Sequence, residues 1–563
     1  MPTLHWVGKD KVVNHHHDVP FRVLNKVSTF GAPAGLPANT TDNRIIHGDN
    51  LEALKSLLPE FEGQVKCIYI DPPYNTGNEG WVYNDAVNDP KMKRWLGQVV
   101  GKEGEDLSRH DKWLCMMYPR LKLLHRLLLA DGVLFASIDD NEVATFRLVL
   151  DEIFGSQNFV AEIVLEGAFK NDARQIGVNH EYVLVYARKR ALLPREWAVK
   201  KEGVEPVLKE VARLKKLHGT DFDTASEALA GWFRASKATP SFAHRRFRNL
   251  DARGAFKEDD PTAPGGRKFE LRSPKTGDVI PLRSNRGWAF DQEAFDSLVK
   301  EGRISFITPT SIMVRRYLHE TDHATPQSVM YQPTRSASER LAKLIGPGKF
   351  DYPKDEVVIQ RLVEMATEKD SIVLDSFAGS GTTGHAVLAQ NALDGGKRRF
   401  LLVETMPYAE TVTAERIRRA ITGRGEDNFA AVALGGGFDY YTVGEPMFLP
   451  DDNLNEAVGT EAIRGYVAYS EGIPAADRTA AENPHSSYLL GLNGETAWLF
   501  HYQPDRATRL DMDFLAGLRF GGSSGAGKPG TVIIYADRCL LSATFMASHG
   551  IIFKKIPRDI TRF

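Results

Sequence analysis

The sequence predicts an α/β fold: a doubly wound, mostly parallel, Rossmann-like sheet, interrupted by a large insert and followed by an additional α+β region. Three observations carry this prediction. An apolar, β-prone run from Val65 to Ile70, broken only by Lys66, ends in Asp71-Pro72-Pro73-Tyr74. A second run, Ile372-Val373-Leu374-Asp375, leads into the glycine-rich stretch Ser376 to Gly384 and then the helix start His385 to Ala389. A third, Phe400 to Val403, ends on Glu404. Strand, glycine loop and helix in that order let backbone approach a ligand closely and give negative charge a helix N-terminus to meet. Ligands of open α/β sheets bind outside the carboxyl ends of the strands, which is where all three acids stand.

The residues after the first strand set its chemistry. Two prolines lock φ and remove two donors, so the segment can neither extend a ladder nor enter a helix interior. What remains is a stiff rim with a carboxylate, free carbonyls and a ring. Such a rim suits a flat ring bearing an amino group. Asp71 and a proline carbonyl accept from the exocyclic amine while Tyr74 stacks on the face, and a flipped-out nucleobase is the natural candidate. A plain Pro-rich turn is the alternative. At the glycine loop the rival ligand is a dinucleotide, because Gly379, Gly381 and Gly384 satisfy G-x-G-x-x-G and Glu404 lies 20 residues beyond Gly384. No Gly-Lys-Ser/Thr follows, so a Walker A loop is excluded. Asp375 could face a ligand ammonium but would repel a pyrophosphate, which favours S-adenosylmethionine over NAD. Glu404 is placed to hydrogen-bond a ribose diol. An NAD-dependent oxidoreductase and a DNA-recognition subunit without activity of its own are the remote alternatives.

Asp71 to Tyr74 resembles the (D/N/S)-P-P-(Y/F/W) catalytic motif of amino-group DNA methyltransferases. The run Asp375-x-Phe377-x-Gly379-x-Gly381-Thr382-Thr383 resembles their cofactor motif position by position. With the catalytic motif first, the order resembles that of the β group. The resemblance implies a seven-stranded methyltransferase sheet, with S-adenosyl-L-methionine as cofactor. In the same pattern, Arg44 to Asn50 looks like the upstream strand and turn, with Asp49 near the cofactor. Trp113 to Leu129 looks like the next helix, with Leu121, Leu124 and Leu128 on one stripe. Gly132 to Asp140 and His180 to Ala187 look like later strands. Phe350 to Lys354 resembles the segment that closes over the methionine end of the cofactor, which implicates Lys354.

More specifically, the chain resembles the Mod (modification) subunits of type III restriction–modification systems. Trp6 to Lys9, Asn75 to Asn78, Pro326 to Met330 and Phe553 to Ile560 carry this part. The resemblance is strong across 42–190 and 350–420 and looser elsewhere. It implies a site-specific methyltransferase acting on adenine N6 in duplex DNA after base flipping. Aspartate at 71, rather than serine, is the family's tendency for adenine. A cytosine-N4 enzyme and a solitary adenine methyltransferase are the nearer alternatives. The implied partners are double-stranded DNA, a restriction (Res) subunit and a second copy in a homodimer, with no membrane and no metal.

Composition sets limits. Hydrophobic residues make up 42% and charged residues 26%, an ordinary globular composition. Cys67, Cys115 and Cys539 have no metal spacing, so a reducing cytoplasm is expected. No apolar run approaches a membrane span, and no signal-peptide core opens the chain. His15-His16-His17 reads as surface histidines. The net charge of −2 divides unevenly: residues 191–350 hold 28 Lys and Arg against 20 Asp and Glu, a formal +8, which leaves −10 for the rest. Five regions follow: an N-terminal arm (1–41), a catalytic half-core (42–190), a target-recognition insert (191–349), a cofactor half-core (350–424) and a C-terminal domain (425–563). Gly423-Arg424-Gly425 and Gly435-Gly436-Gly437 mark the last exit, and Thr531 to Tyr535 reads as a strand beyond it. Within the insert, Arg245, Arg246 and Arg248 sit among aromatics and are the DNA-binding candidates, by phosphate contact or base readout. Lys268 to Leu282 reads as a β-hairpin centred on Pro274-Lys275-Thr276-Gly277.

Overall fold

The computed structural model describes residues 3–36, 42–76, 94, 97–99, 109–167, 175–274, 276–282, 285–331, 334–426, 429–474, 477–479, 487–493, 495–518 and 529–558. Gly77, Asn78, Lys275, Asp559 and Ile560, all within motifs named above, lie outside the described residues. The chain forms two compact units, one of Met1–Pro194 with Gln327–Phe563, the other of Arg195–Pro326.

The larger unit is built on one sheet. Its strands are β1 (Arg22–Gly31), β2 (Arg44–His47), β3 (Val65–Ile70), β4 (Leu128–Ile138), β5 (Phe159–Glu166), β6 (His180–Ala187), β7 (Val329–Tyr331), β8 (Ile372–Asp375), β9 (Arg399–Glu404) and β10 (Gly437–Pro446). Across the sheet they run β1-β10-β2-β9-β8-β3-β4-β6-β5-β7. Neighbours from β10 to β4 are parallel, as are β5 and β7. β6 is antiparallel to β4 and β5, and β1 to β10. Among the described residues the sheet holds ten strands, three more than the expected seven, with β1 and β10 extending one edge and β7 the other. Strands covered on both faces need apolar residues on both, so β3 and β8 are buried throughout and read as continuous apolar runs. Lys66 is tolerated in β3 because its ammonium is paired with Asp131 at 2.5 Å.

Helices pack on this sheet: α1 (Asn50–Phe61), α2 (Arg109–Leu127), α3 (Glu356–Ala366), α4 (Thr382–Asp394) and α5 (Glu415–Thr422). The helix expected at Trp113 to Leu129 begins earlier and yields Leu128 and Leu129 to β4. Of its expected stripe, Leu121 and Leu124 are buried in the same apolar core as Leu54 and Leu57 of α1, whereas Leu128 belongs to β4. Within the tract His15-His16-His17, His17 is exposed as expected, whereas His16 departs from its surface assignment. His16 is buried, its ring lies 3.9 Å from that of His17, and burial pushes its pKa down to about 4. The carbonyls of His16 and His17 accept from the buried ammonium of Lys55, so the tract anchors the arm on α1.

Two boundaries also move. Residues 327–349, expected in the insert, lie in the larger unit, where Val329 to Tyr331 pairs with Val164 to Glu166. Residues 437–446, expected beyond the core, form β10 inside the main sheet. After β10 the chain forms a second sheet, β11 (Leu489–Leu492), β12 (Thr496–Phe500), β13 (Thr531–Ala536) and β14 (Ile551–Lys555), hydrogen-bonded in that order. Arg558, just past β14, makes a buried bidentate pair with Asp537 and a third bond to Glu456. Among the described residues no helix is long and apolar enough to cross a membrane.

The smaller unit, Arg195–Pro326, has two cores of its own. One lies between the helices Val204–His218 and Phe222–Ala235, the other around Trp288, Phe295 and Ile312. A four-stranded antiparallel sheet (304–308, 311–317, 255–259, 249–250) forms its centre. Leu271–Arg272 pairs with Val279–Ile280 within the expected hairpin, where Gly277 takes a φ of +78°. Over 195–326 the formal charge is +5, from 24 Lys and Arg and 19 Asp and Glu.

Candidate functional site

The pairing of β3 with β8 sets Cys67 opposite Val373 and Ile68 opposite Leu374, so Asp71 and Asp375 emerge at one edge of the sheet. β9, on the other side of β8, brings Glu404 to the same edge. Residues 71 to 75 cross that edge buried. Trp113 of α2 donates its indole N–H to the Pro73 carbonyl at 2.6 Å, which fixes the rim. Asn75 follows at φ +60°, a left-handed conformation that asparagine tolerates. Its amide donates to Glu142 at 2.5 Å, and that buried carboxylate also lies 2.6 Å from His110 Nδ1. The loop after the catalytic tetrapeptide is thus held by a group that sequence reading did not single out.

Asp71 sits in a cluster. The Tyr74 hydroxyl lies 2.8 Å from Asp71 Oδ1 and 2.9 Å from Glu181 Oε2. Lys354 Nζ is 2.5 Å from the Tyr74 oxygen and 3.3 Å from Asp71 Oδ1, and it donates to Glu181 Oε2. Burial pushes the Asp71 carboxyl up, and the Lys354 ammonium pulls it back. Burial alone would lower Lys354, but Asp71 and Glu181 together hold it above the ordinary lysine value. Lys354, read from sequence as a cofactor residue, therefore touches the tetrapeptide through its side chain. Its backbone carbonyl accepts from Thr382 at 3.4 Å, at the start of α4. Glu181 was missed. The available signal was a carboxylate in β6 just ahead of the wholly buried stretch Val183 to Ala187.

The glycine loop is organised from within. Asp375 accepts from the Phe377 N–H at 2.9 Å and from the Thr383 hydroxyl at 2.5 Å, and burial pushes its pKa up to about 7. Glu404 accepts from the N–H groups of Gly379 (2.7 Å) and Met406 (2.9 Å), and burial pushes it, too, up to about 7. Gly379 and Gly381 have φ of +51° and +80°, a region that glycine enters at no steric cost. Gly384 serves packing instead: a Cβ there would lie 2.8 Å from Ile417 and 2.9 Å from Leu402. Behind the loop, Arg416 of α5 donates to the hydroxyls of Ser380 (2.8 Å) and Thr382 (2.7 Å). Asp49 caps α1 by accepting from the N–H groups of Leu51 and Glu52. Its neighbour Asn50 joins the Ser376 carbonyl to the buried Arg120. Arg120 and Arg416 escaped sequence reading because their partners lie far away in the chain.

The three insert arginines come together in the smaller unit. Arg245, Arg246 and Arg248 line one cavity of about 610 Å³ with Arg234, Lys237 and Lys257. The Arg245 guanidinium lies 4.7 Å from the Phe242 ring centre, whereas Arg246 is paired with Asp259 at 3.0 Å. Charge reversal at Arg245, Arg246 and Arg248 together is expected to weaken DNA binding and flatten its dependence on salt. A salt series on specific and random duplexes measures this. A phosphate contact is lost for all sequences alike, a base contact at one position only. Identical slopes for wild type and variant would make the cavity ordinary solvated surface.

A mostly parallel sheet with an acid, two prolines and an aromatic beside a glycine loop is the arrangement of an amino-group methyltransferase. The chain belongs to the DNA methylase family, whose model matches residues 65–415. It is 29% identical over 502 residues to the type III restriction-modification enzyme StyLTI Mod subunit of Salmonella typhimurium, covering 80% of this chain and 68% of that one. It is 32% identical over 424 residues to the EcoP15I Mod subunit of Escherichia coli (71% and 64% covered). To the EcoPI Mod subunit of Escherichia phage P1 it is 33% identical over 435 residues (71% and 63%). The chain thus spans about two thirds of the length of these relatives.

Proposed function

We propose that this chain is the modification subunit of a type III restriction–modification system, which transfers a methyl group from S-adenosyl-L-methionine to adenine N6 in duplex DNA. The observation that carries this reading is Asp71 and Tyr74 at the end of β3, beside the glycine loop at the end of β8. The donor set suits the cofactor: two buried carboxylates, Asp375 and Glu404, suit a cation and a diol, and the positive-φ glycines leave backbone open to close approach. When bound, S-adenosylmethionine supplies a methyl group activated on a sulfonium. The chain's own residues do the rest by positioning. Unstacking a base costs a few kcal/mol, offset here by stacking on Tyr74 and by bonds to its amine. Asp71 and the Pro72 carbonyl accept hydrogen bonds from the two amine N–H groups and leave the nitrogen lone pair to point away from the rim.

Residues 195–326 are assigned as the target-recognition unit, and the described remainder of 42–426 as the catalytic core. The reading brings with it duplex DNA, a Res subunit and a second copy as partners, and a cytoplasmic location alongside that DNA. Sequencing genomic DNA for modified bases with and without the gene tests it. N6-methyladenine at one motif supports the reading, N4-methylcytosine turns it to the other amino base, and no change overturns it.

Because burial pushes Asp375 and Glu404 up to about 7, a cationic ligand favours their ionised forms. Cofactor affinity should therefore rise as pH increases through about 7, with proton release on binding. Calorimetry in buffers of different ionisation enthalpy reads the release directly, and a pH-independent affinity would remove both carboxylates from the binding step.

A further inference from the structure

Lys354 and Glu181 have no part in the chemistry so far, yet they occupy its acceptor. Two carboxylates and one ammonium share a small space at the sheet edge. Asp71 and Lys354 have side chains only 9% and 12% exposed, whereas Glu181 is 29% exposed. The contacts are uneven. Lys354 Nζ bonds all three groups, but it lies closer to Glu181 and Tyr74 than to Asp71, which stands 3.3 Å away. The amine of a flipped base donates to the Asp71 carboxylate, whose Oδ1 oxygen Tyr74 and Lys354 now face. Its nitrogen gains positive charge as it reacts, so an ammonium kept at that oxygen would oppose the reaction. Without Lys354, however, burial would push the Asp71 carboxyl further up and weaken the charge that makes it a strong acceptor.

We propose that Lys354 and Glu181 form a latch on Asp71: Lys354 holds the acceptor ionised while no base is present, and withdraws onto Glu181 when the amine arrives. Glu181 is then the counter-charge that keeps the displaced ammonium inside the protein. Both are positioning residues. The inference rests on the reading of Asp71 as the amine acceptor.

The groups facing Asp71 are Tyr74 on its own loop, Tyr69 of β3, Glu181 of β6, Asp375 of β8 and Lys354 ahead of α3. Among these, Lys354 alone carries positive charge, so the two latch variants should move the acid side of the pH profile in opposite directions. The experiment follows radiolabelled methyl transfer into DNA from a strain lacking the gene, as kcat/KM for DNA against pH. Cofactor is kept saturating, so that titration of Asp375 does not enter. Lys354→Met should shift the acid limb upward, and Lys354→Arg should return it toward wild type. Glu181→Gln should shift it downward and raise KM for DNA, because Asp71 is then the one carboxylate of the cluster left to hold Lys354. Calorimetric affinity for S-adenosylmethionine without DNA should stay within about threefold for all three variants. Limbs that stay fixed, or move the same way, overturn the latch. So does a loss of cofactor affinity of about tenfold or more in both lysine variants, which would make Lys354 a cofactor ligand. If Lys354→Met does not fold by its melting curve, Lys354→Arg and Glu181→Gln decide alone. A wild-type protein that transfers no methyl to any DNA overturns the underlying reading, and the latch with it.

Discussion

Asp71→Ala is expected to lower kcat by about tenfold to more than a hundredfold while leaving DNA and cofactor affinity close to wild type. The substitution removes a charge-assisted acceptor, worth roughly 1.5–3 kcal/mol, and each 1.4 kcal/mol or so corresponds to about tenfold in rate. The fold should survive, because Lys354 keeps Glu181 and the Tyr74 hydroxyl as partners. Asp71→Asn is the sharper control. It keeps the shape and one acceptor oxygen but loses the charge, so it separates hydrogen-bond geometry from electrostatics. Steady-state rates, with binding measured separately, check both. A wild-type rate in Asp71→Ala would make the aspartate a structural residue and leave the site without its amine acceptor.

Gly381→Arg is expected to weaken S-adenosylmethionine binding by more than about a hundredfold. Gly381 caps α4 at φ +80°, and a Cβ there would approach the Thr413 carbonyl to 3.1 Å. Any side chain is therefore strained by roughly 1–2 kcal/mol before its bulk is considered. Arginine also adds a cation where a cationic ligand is to bind. Gly395, at the other end of the same helix, supplies the comparison. Its φ is +70°, but a Cβ there would meet nothing within 4 Å beyond its chain neighbours. Gly395→Ala should cost about 1 kcal/mol of stability and leave cofactor affinity unchanged. Equal affinity loss in both variants would mean that the helix as a whole, rather than the loop, had failed.

The parts of the site legible in the sequence are those with local causes. β3 and β8 are buried on both faces, so their apolar runs announced them. The prolines, the left-handed glycines and the acid at each strand end are properties of a few consecutive residues. The hairpin around Gly277 was legible for the same reason. What stayed hidden depends on meetings between distant segments. Nothing near Arg22 to Gly31 names Gly437 to Pro446 as its partner, and β1 has only scattered half-buried positions instead of a clean alternation. Pairing of Lys354 with Asp71 and Glu181, of Arg416 with Ser380, and of Arg120 with Asn50 joins charges and hydroxyls that no periodicity links. His16 misled because histidine is polar by type, whereas its burial is decided by how the arm lies on α1.

The place of β10 between β1 and β2 has a consequence for how the protein is made. β1 is made before the rest of its sheet, but among the described residues the only strand it pairs with begins at Gly437. β2 waits as well, because its two neighbours are β9 and β10. At about 5–20 residues per second, the gap between β1 and β10 is roughly 20–80 s of synthesis. Through that interval the nascent chain carries unpaired strand edges, the state in which strands from different chains associate. Translation slowed before codon 437 should therefore increase aggregation, whereas the same pause placed after codon 446 should not.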